Sequence, residues 1–188
     1  MHLDKGDTEK AWECFKNACT KADLDTDIGF GIYAKVSMAL NKYEDAIFGY
    51  TKTLELNPNQ SEAVFNLGNA YFLTKRYQEA AQAFDRTIRV NPAELRAYNN
   101  LGESYIYLEQ YDKALVAFDR LGDNKKQFPN IYLRAALCHS KLGDQNKAKG
   151  SLQELLSNPA VLAATPEQIK QTARAMFAQL GAGNRIVA

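Results

Sequence analysis

Cysteine, histidine and tryptophan are scarce in this sequence, and neither sign of charge is in excess. Its 188 residues include three cysteines, two histidines and one tryptophan, with 23 Lys and Arg against 22 Asp and Glu. A formal net charge of +1 provides no overall attraction for nucleic acid or for an anionic membrane surface. No apolar run is long enough to span a membrane. We therefore expect no nucleic-acid partner and no membrane insertion.

The three cysteines do not form a framework for disulfide bonds. Cys14 and Cys19 are five residues apart on a predicted helix, so their side chains point to different faces, and Cys138 lies far along the chain. An odd number without regular spacing is typical of buried thiols in a reducing compartment. The first seven residues contain no apolar core of a signal peptide. The sequence predicts a cytoplasmic protein, an inference that weakens if the chain is a fragment of a longer one.

Residues that carry catalysis are also missing. His2 lies at the start of the chain, and His139 falls on a helical face that packs within a hairpin. The sequence has no Gly-rich phosphate loop, no His/Cys cluster with metal-ligand spacing and no nucleophile motif. We therefore expect no enzyme, no cofactor, no catalytic residue and no metal site.

What the sequence does contain is an internal repeat of 34 residues. Asn57-Pro58 recurs at that interval as Asn91-Pro92, and Leu67-Gly68 recurs as Leu101-Gly102. Other positions keep the same step: Tyr71 and Tyr105; Tyr43, Tyr77 and Tyr111; Ala46, Ala80, Ala114 and Ala148; Tyr50, Phe84, Phe118 and Leu152. So many positions in register exclude coincidence.

Each period contains two helical runs joined by a short turn. In residues 61–94 the apolar face of the first run consists of Val64, Leu67, Gly68 and Tyr71. The apolar face of the second run consists of Tyr77, Ala80, Phe84 and Ile88. Thr74-Lys75-Arg76 forms the turn, and Asn91-Pro92 ends the second helix because proline disfavours a helical residue before it. A hairpin with one apolar face cannot stand alone and must stack on its neighbours.

The repeated small residues predict where the two helices of a hairpin cross. Small residues of the first helices face small residues of the second, namely Ala34, Gly68, Gly102 and Ala136 against Ala46, Ala80, Ala114 and Ala148. The large rings are predicted to fill the space between neighbouring hairpins; they are Tyr50, Tyr71, Phe84, Tyr105 and Phe118.

These positions resemble the tetratricopeptide repeat, whose pattern is a large residue, Leu-Gly, Tyr, Ala, Phe and Pro. The matching residues are Val64, Leu67, Gly68, Tyr71, Ala80, Phe84 and Pro92 in one repeat, and Tyr98, Leu101, Gly102, Tyr105, Ala114 and Phe118 in the next. The resemblance implies an all-α fold, a right-handed α-solenoid of tandem helix-turn-helix hairpins, here with a C-terminal capping helix. The predicted division is a partial hairpin at 1–26, hairpins at 27–60, 61–94, 95–128 and 129–162, a capping helix at 163–181 and a tail at 182–188, all in one solenoid domain.

Three segments depart from the repeat. Residues 1–26 lack most of a first helix, either because the chain is a fragment or because the helix with Trp12 packs on another chain. Gly122 is predicted to end its helix as a left-handed cap before a polar loop. Thr165 is predicted to N-cap a last helix that Gly181 closes, with an apolar stripe made of Ile169, Ala173, Met176, Phe177 and Leu180.

In the family that the sequence resembles, the first helices of the hairpins line a concave groove that holds the ligand. The predicted peptide-binding residues on those helices are Lys35, Phe65, Asn66, Asn69, Arg96, Asn99, Asn100, Glu103 and Arg134. Asparagine is a mediocre helix former, so four asparagines on two successive helices require a reason. An amide both donates and accepts hydrogen bonds, and it can therefore pair with a peptide main chain. The alternative is that Asn99-Asn100 bonds a neighbouring hairpin or faces solvent.

One subset of the family binds the C-terminal carboxylate of chaperone peptides with a clamp of two lysines, two asparagines and an arginine. Asn69, Asn100 and Arg134 match that clamp in the best register, but Phe65 and Asn130 stand where lysines are needed. The sequence therefore does not predict a carboxylate clamp. The predicted groove still carries basic residues, which leaves an acidic or C-terminal peptide open.

Two functions follow from this pattern. In the first, the chain is a protein–protein interaction module, an adaptor, cochaperone or assembly scaffold that binds an extended peptide segment of another protein in the concave groove. In the alternative, it is a scaffold that associates with copies of itself as a homo-oligomer through its incomplete N-terminal repeat.

Overall fold

The computed structural model describes residues 5–20 and 26–182, with side chains for 7–18 and 26–181. These residues form helices and short connections, and none of them is in a strand. They divide into two compact units, Met1–Ala97 and Tyr98–Ala188. The predicted all-α class of tandem helical hairpins is confirmed. The predicted repeat boundaries stay a prediction, and residues 183–188 of the predicted tail lie outside the described residues.

The first unit consists of consecutive helices that pack in chain order. The helices are α1 (Lys5–Thr20), α2 (Asp27–Ala39), α3 (Tyr43–Leu56), α4 (Ser61–Leu73) and α5 (Tyr77–Val90). Helix α1 packs against α2, α2 against α3, α3 against α4, and α4 against α5. The boundary with the second unit lies within α6 (Leu95–Tyr107).

The second unit continues the same alternation and ends in two further helices. Its remaining elements are α7 (Tyr111–Asp119), a 3-10 helix (Gly122–Gln127), α8 (Asn130–Lys141), α9 (Gln145–Ser157), α10 (Pro159–Ala164) and α11 (Glu167–Ala182). Helix α7 packs against α8, α8 against α9, and α9 against both α10 and α11. Gly122 is left-handed, with a φ of 52°, as the sequence predicts. Gly122 is also the first residue of the 3-10 helix, which stands where the sequence predicts a polar loop.

Four inter-helix turns share a left-handed residue that the sequence did not reveal. Asn41, Lys75, Glu109 and Gly143 have φ values of 58°, 61°, 57° and 83° and keep the repeat interval. After α4, the N–H of Arg76 donates to the carbonyl of Tyr71 at 2.8 Å, and the N–H of Lys75 donates to the carbonyl of Phe72 at 3.0 Å. These two bonds define the Schellman motif, which satisfies carbonyls at the end of a helix.

We expect Lys75→Gly to stabilise the protein by roughly 0.5–1 kcal/mol, because a side chain with a Cβ is strained at positive φ and glycine is not. The measurement is the free energy of unfolding in urea. Gln82→Gly is the matched control, because Gln82 is exposed in the middle of α5, where glycine costs about 1 kcal/mol. Equal losses of stability in the two variants would contradict the assignment of strain to Lys75.

Two of the hairpin crossings differ from the predicted contact between small residues. A Cβ on Gly68 would lie 2.8 Å from a ring atom of Phe84, and a Cβ on Gly102 would lie 2.2 Å from a ring atom of Phe118. The rings therefore lie inside their own hairpins, over the glycines, whereas the sequence places them between hairpins. The reason is volume, since a glycine opposite an alanine would leave a void that the ring fills.

The last helix covers one end of the second unit. Ile169, Met176 and Leu180 of α11 pack against a buried cluster made of Tyr132, Ala136, Ala148, Leu152, Leu155, Val161 and Ala173. Phe177, which the sequence places in the same apolar stripe, is 37% exposed. The predicted N-cap is one residue too early, because α11 begins at Glu167 and the N–H of Lys170 donates to the carbonyl of Pro166. The Thr165 hydroxyl instead donates to the carbonyl of Val161 at 2.6 Å. That bond closes α10, a helix that the sequence did not predict.

Candidate functional site

The predicted peptide-binding residues lie on four helices. Lys35 is on α2; Phe65, Asn66 and Asn69 are on α4; Arg96, Asn99, Asn100 and Glu103 are on α6; Arg134 is on α8. The structure brings some of them together within each unit and gives others a role in packing.

In the second unit, four of the predicted residues form one polar network between α6 and α8. The Arg134 Nη1 donates to Asn99 Oδ1 at 3.0 Å, and Asn99 Nδ2 donates to Asn100 Oδ1 at 3.0 Å. The Arg134 Nη2 lies 2.7 Å from Glu103 Oε1, and each of these two side chains is 24% exposed. A half-buried ion pair with hydrogen-bonded neighbours holds its members in fixed geometry, which an exposed pair does not. The network therefore presents amide groups that are positioned in advance.

In the first unit, two predicted cations are neutralised by carboxylates. The Lys35 Nζ lies 2.9 Å from Glu62 Oε1, which joins α2 to α4. The Arg96 guanidinium binds Glu94 through two contacts of 2.7 Å, and its hydrogen bonds hold the pKa of Glu94 below its usual value. The side chains of Lys35, Glu62 and Arg96 are more than half exposed, so each pair contributes little stability.

Phe65 is a core residue, with 6% of its surface exposed. Its ring centroid lies 5.7 Å from that of Phe84, and the Arg96 guanidinium lies over the Phe65 ring at 4.6 Å from its centroid. The ring therefore has packing partners in its own unit, and its contact with a peptide stays a prediction.

Asn66 bonds a neighbouring helix, and Asn99 bonds Arg134 on α8 of the next hairpin, which is the alternative that the sequence left open for Asn99-Asn100. The Asn66 side chain hydrogen-bonds the hydroxyl of Tyr50 on α3. Burial, followed by the charge of Glu62, raises the pKa of Tyr50 to about 12, and the hydrogen bond with Asn66 acts in the opposite direction. A Tyr50 ring that is 2% exposed needs such a partner for its hydroxyl. Asn69 is half-buried on the same helix as Asn66.

The pairing of the predicted cations was not visible in the sequence. Glu94 precedes Arg96 by two residues at the start of α6, a spacing that could have indicated a local pair. Glu62 is 27 residues from Lys35, which is not the repeat interval, so no repeated position links them. In contrast to the positive groove that the sequence predicts, Lys35, Arg96 and Arg134 each have a carboxylate partner.

The remaining reactive side chains have ordinary structural surroundings. Burial raises the pKa of the Cys138 thiol to about 11, and Cys14 is exposed. His139 is half-buried, and burial lowers the pKa of its imidazole. Across residues 5–20 and 26–182, no group of three His, Cys, Asp or Glu residues could hold a metal ion. His2 and the side chain of Cys19 lie outside the described residues.

None of the described helices combines the length and the apolar character that crossing a membrane requires.

Comparison with known families gives two matches along the chain. Residues 39–121 match the family described as anaphase-promoting complex, cyclosome, subunit 3. Residues 131–159 match the tetratricopeptide repeat. No protein of curated function matches the sequence.

Solved structures with a similar fold cover most of this chain. One crystal structure of MamA is 28% identical in sequence to this chain and has a TM-score of 0.74. The match covers 81% of this chain and 82% of the MamA chain. MamA from residue 41 onward, from Desulfovibrio magneticus RS-1, is 21% identical, with coverages of 85% and 86% and a TM-score of 0.71. YrrB, described as a TPR protein with an unusual peptide-binding site, is 24% identical, with coverages of 82% and 76% and a TM-score of 0.64.

Proposed function

We propose that this chain, which belongs to the tetratricopeptide-repeat family, binds an extended segment of another protein on the first helices of its hairpins. Repeats of this family form protein–protein interaction scaffolds, and the chain is such a scaffold. Our proposal names the surface of this chain that binds and the extended conformation of the partner segment.

The network between α6 and α8 carries the proposal. Asn99, Asn100 and Arg134 are half-buried and already hydrogen-bonded to one another, so little side-chain freedom is lost when a ligand contacts them. Amide groups can exchange hydrogen bonds with the N–H and carbonyl groups of an extended main chain. Binding of this type depends on the main chain more than on a particular sequence.

The paired cations favour a ligand without excess negative charge. Arg134 is bound to Glu103 and Arg96 is bound to Glu94, so a carboxylate of the ligand would have to displace one that is already present. Displacement returns little free energy, because one ion pair is exchanged for another. The proposed partner is therefore an extended segment that is not acidic.

We expect Asn99→Ala with Asn100→Ala to weaken partner binding at least tenfold, because the variant removes both amides and keeps the Arg134–Glu103 pair. The measurement is a pull-down from native lysate with mass spectrometry, followed by titration of the purified partner. Asn146→Ala with Gln153→Ala, at exposed positions of α9, is the matched control. Unchanged recovery by the α6 variant, with thermal unfolding showing that it is folded, would contradict the proposal.

The alternative of self-association depends on Trp12, and the structure gives that side chain contacts within its own unit. The Lys42 Nζ lies 3.1 Å from the Trp12 ring centroid and 3.1 Å from Glu9 Oε1, which ties α1 to the turn after α2. A homo-oligomer through α1 stays a prediction. Molecular mass measured across a range of concentrations tests it, and a monomer throughout would remove it.

A further inference from the structure

A cleft in the first unit lies between α2 and α4 and is separate from the network on α6 and α8. Its volume is about 130 Å³, and its lining includes Gly31, Tyr50 and Ala63. A cavity of about 150 Å³ in the same measure is large enough for benzene. The cleft therefore has room for one apolar side chain of a ligand.

Two exposed isoleucines line the cleft on one side. Ile28 is 67% exposed and Ile32 is 42% exposed, and they lie one helical turn apart on the same face of α2. A single exposed apolar side chain is ordinary, but a pair beside a cleft forms a patch that gains free energy when it is covered.

Gly31, one of two glycines between the isoleucines, lines the cleft and keeps it open. Gly31 lies inside α2, where glycine is unfavourable relative to alanine. A Cβ there would meet only the Thr53 Oγ1, at an ordinary distance of 3.7 Å. Packing therefore does not require glycine at this position, in contrast to Gly68 and Gly102. What the missing side chain provides is space in the cleft.

The charges around the cleft are unequal. The Lys35 Nζ is paired with Glu62, one of two carboxylates in the lining. The other, Asp27, accepts hydrogen bonds from Asn57 Nδ2 at 3.1 Å and from the N–H of Ile28 at 2.9 Å. Within the described part of the chain, no cation lies within salt-bridge distance of Asp27. A ligand that brings a positive charge beside its apolar side chain would complete this site.

Resting on the proposed function, we infer that the cleft between α2 and α4 selects the partner segment. The segment inserts one aliphatic or aromatic side chain between Ile28 and Ile32, and it places a neighbouring Lys or Arg against Asp27. The cleft would then recognise an apolar–basic pair of residues in the segment.

The test uses a random 12-residue peptide library displayed on phage and selected on the full chain, and it measures the affinity of synthetic copies of the enriched peptides by fluorescence anisotropy. Enriched peptides should pair an apolar residue with Lys or Arg. Gly31→Leu, which fills the cleft, should weaken their binding at least tenfold. Asp27→Asn should reduce the preference for a Lys-containing peptide over its Glu-containing counterpart.

Gly150→Leu is the matched control, because Gly150 lies in the second unit, away from the cleft, and a Cβ there would meet nothing within 4 Å. If Gly31→Leu does not fold, Ile28→Ser with Ile32→Ser removes the exposed patch without touching a buried residue and should give the same loss.

Three outcomes would overturn the inference. One is that no peptide is enriched, or that the enriched peptides are acidic. Another is that peptide binding is lost in the Asn99→Ala, Asn100→Ala variant but not in Gly31→Leu, which would leave the proposed function standing without the cleft. The third is that Gly31→Leu changes the dependence of molecular mass on concentration, which would identify the occupant as a second copy of this chain.

Discussion

Gly102→Ala is expected to lower the free energy of unfolding by about 2–3 kcal/mol, because the added methyl group would overpack the crossing between α6 and α7. The Cβ would lie 2.2 Å from Cε1 of Phe118 and 2.7 Å from its Cδ1 and Cζ. Phe118 is 1% exposed, so its ring has no route into solvent and must displace other core atoms. The measurement is urea denaturation followed by circular dichroism, with the change in midpoint converted through the measured slope.

Gly150→Ala provides the control for the effect of alanine in a helix. Gly150 lies in α9 of the same unit, a Cβ there meets no atom within 4 Å, and the change should stabilise the protein by about 0.5–1 kcal/mol. Combining Gly102→Ala with Phe118→Leu tests the mechanism, because a smaller side chain should recover part of the loss. Losses that simply add in the double variant would show that the clash with Phe118 is not the cause.

The repeat pattern was sufficient to predict the hairpins, since helical spacing and turn residues recur where each helix begins and ends. It was insufficient for the contacts at the crossings. Gly68 and Ala80 recur together, which suggests that small residues face each other, but the structure places the Phe84 ring over Gly68. Sequence spacing gives the face of a helix and not the depth to which a ring reaches across it.

The contacts of the candidate site were predictable where the two residues are about one repeat interval apart. They were unpredictable where the partner residue has no such relation in the sequence. Asn99 and Asn100 lie on the predicted face of α6, and Arg134 joins them because it is 35 residues from Asn99, close to the repeat interval. The carboxylate that neutralises Lys35 has no such relation to it. The cleft was also missed, because a glycine inside a helix is read as a weak helix former and not as an empty space.

Phe65 separates the two roles that a residue on a first helix can have, packing and ligand contact. We expect Phe65→Ala to lower the free energy of unfolding by about 3–4 kcal/mol, because it removes a buried ring and leaves a cavity beside Phe84. Phe65→Leu keeps most of the volume and should cost roughly 1–1.5 kcal/mol. Urea denaturation of both variants measures these values, and the difference between them reports how tightly the site is packed.

Leu73→Ala is the matched control on α4, because Leu73 is 49% exposed and its truncation should change the free energy of unfolding by less than about 0.5 kcal/mol. If Phe65 is a core residue, Phe65→Leu should bind a selected peptide with unchanged affinity under conditions in which it is folded. If Phe65 instead contacts the ligand, Phe65→Ala would resemble Leu73→Ala in stability and would lose affinity while folded.

Val64 and Phe65 are both buried although they are adjacent, because α4 packs against α3 on one side and α5 on the other. A helix packed on two sides leaves a narrow strip for a ligand, and the stability of Phe65→Ala decides whether Phe65 belongs to the core or to that strip.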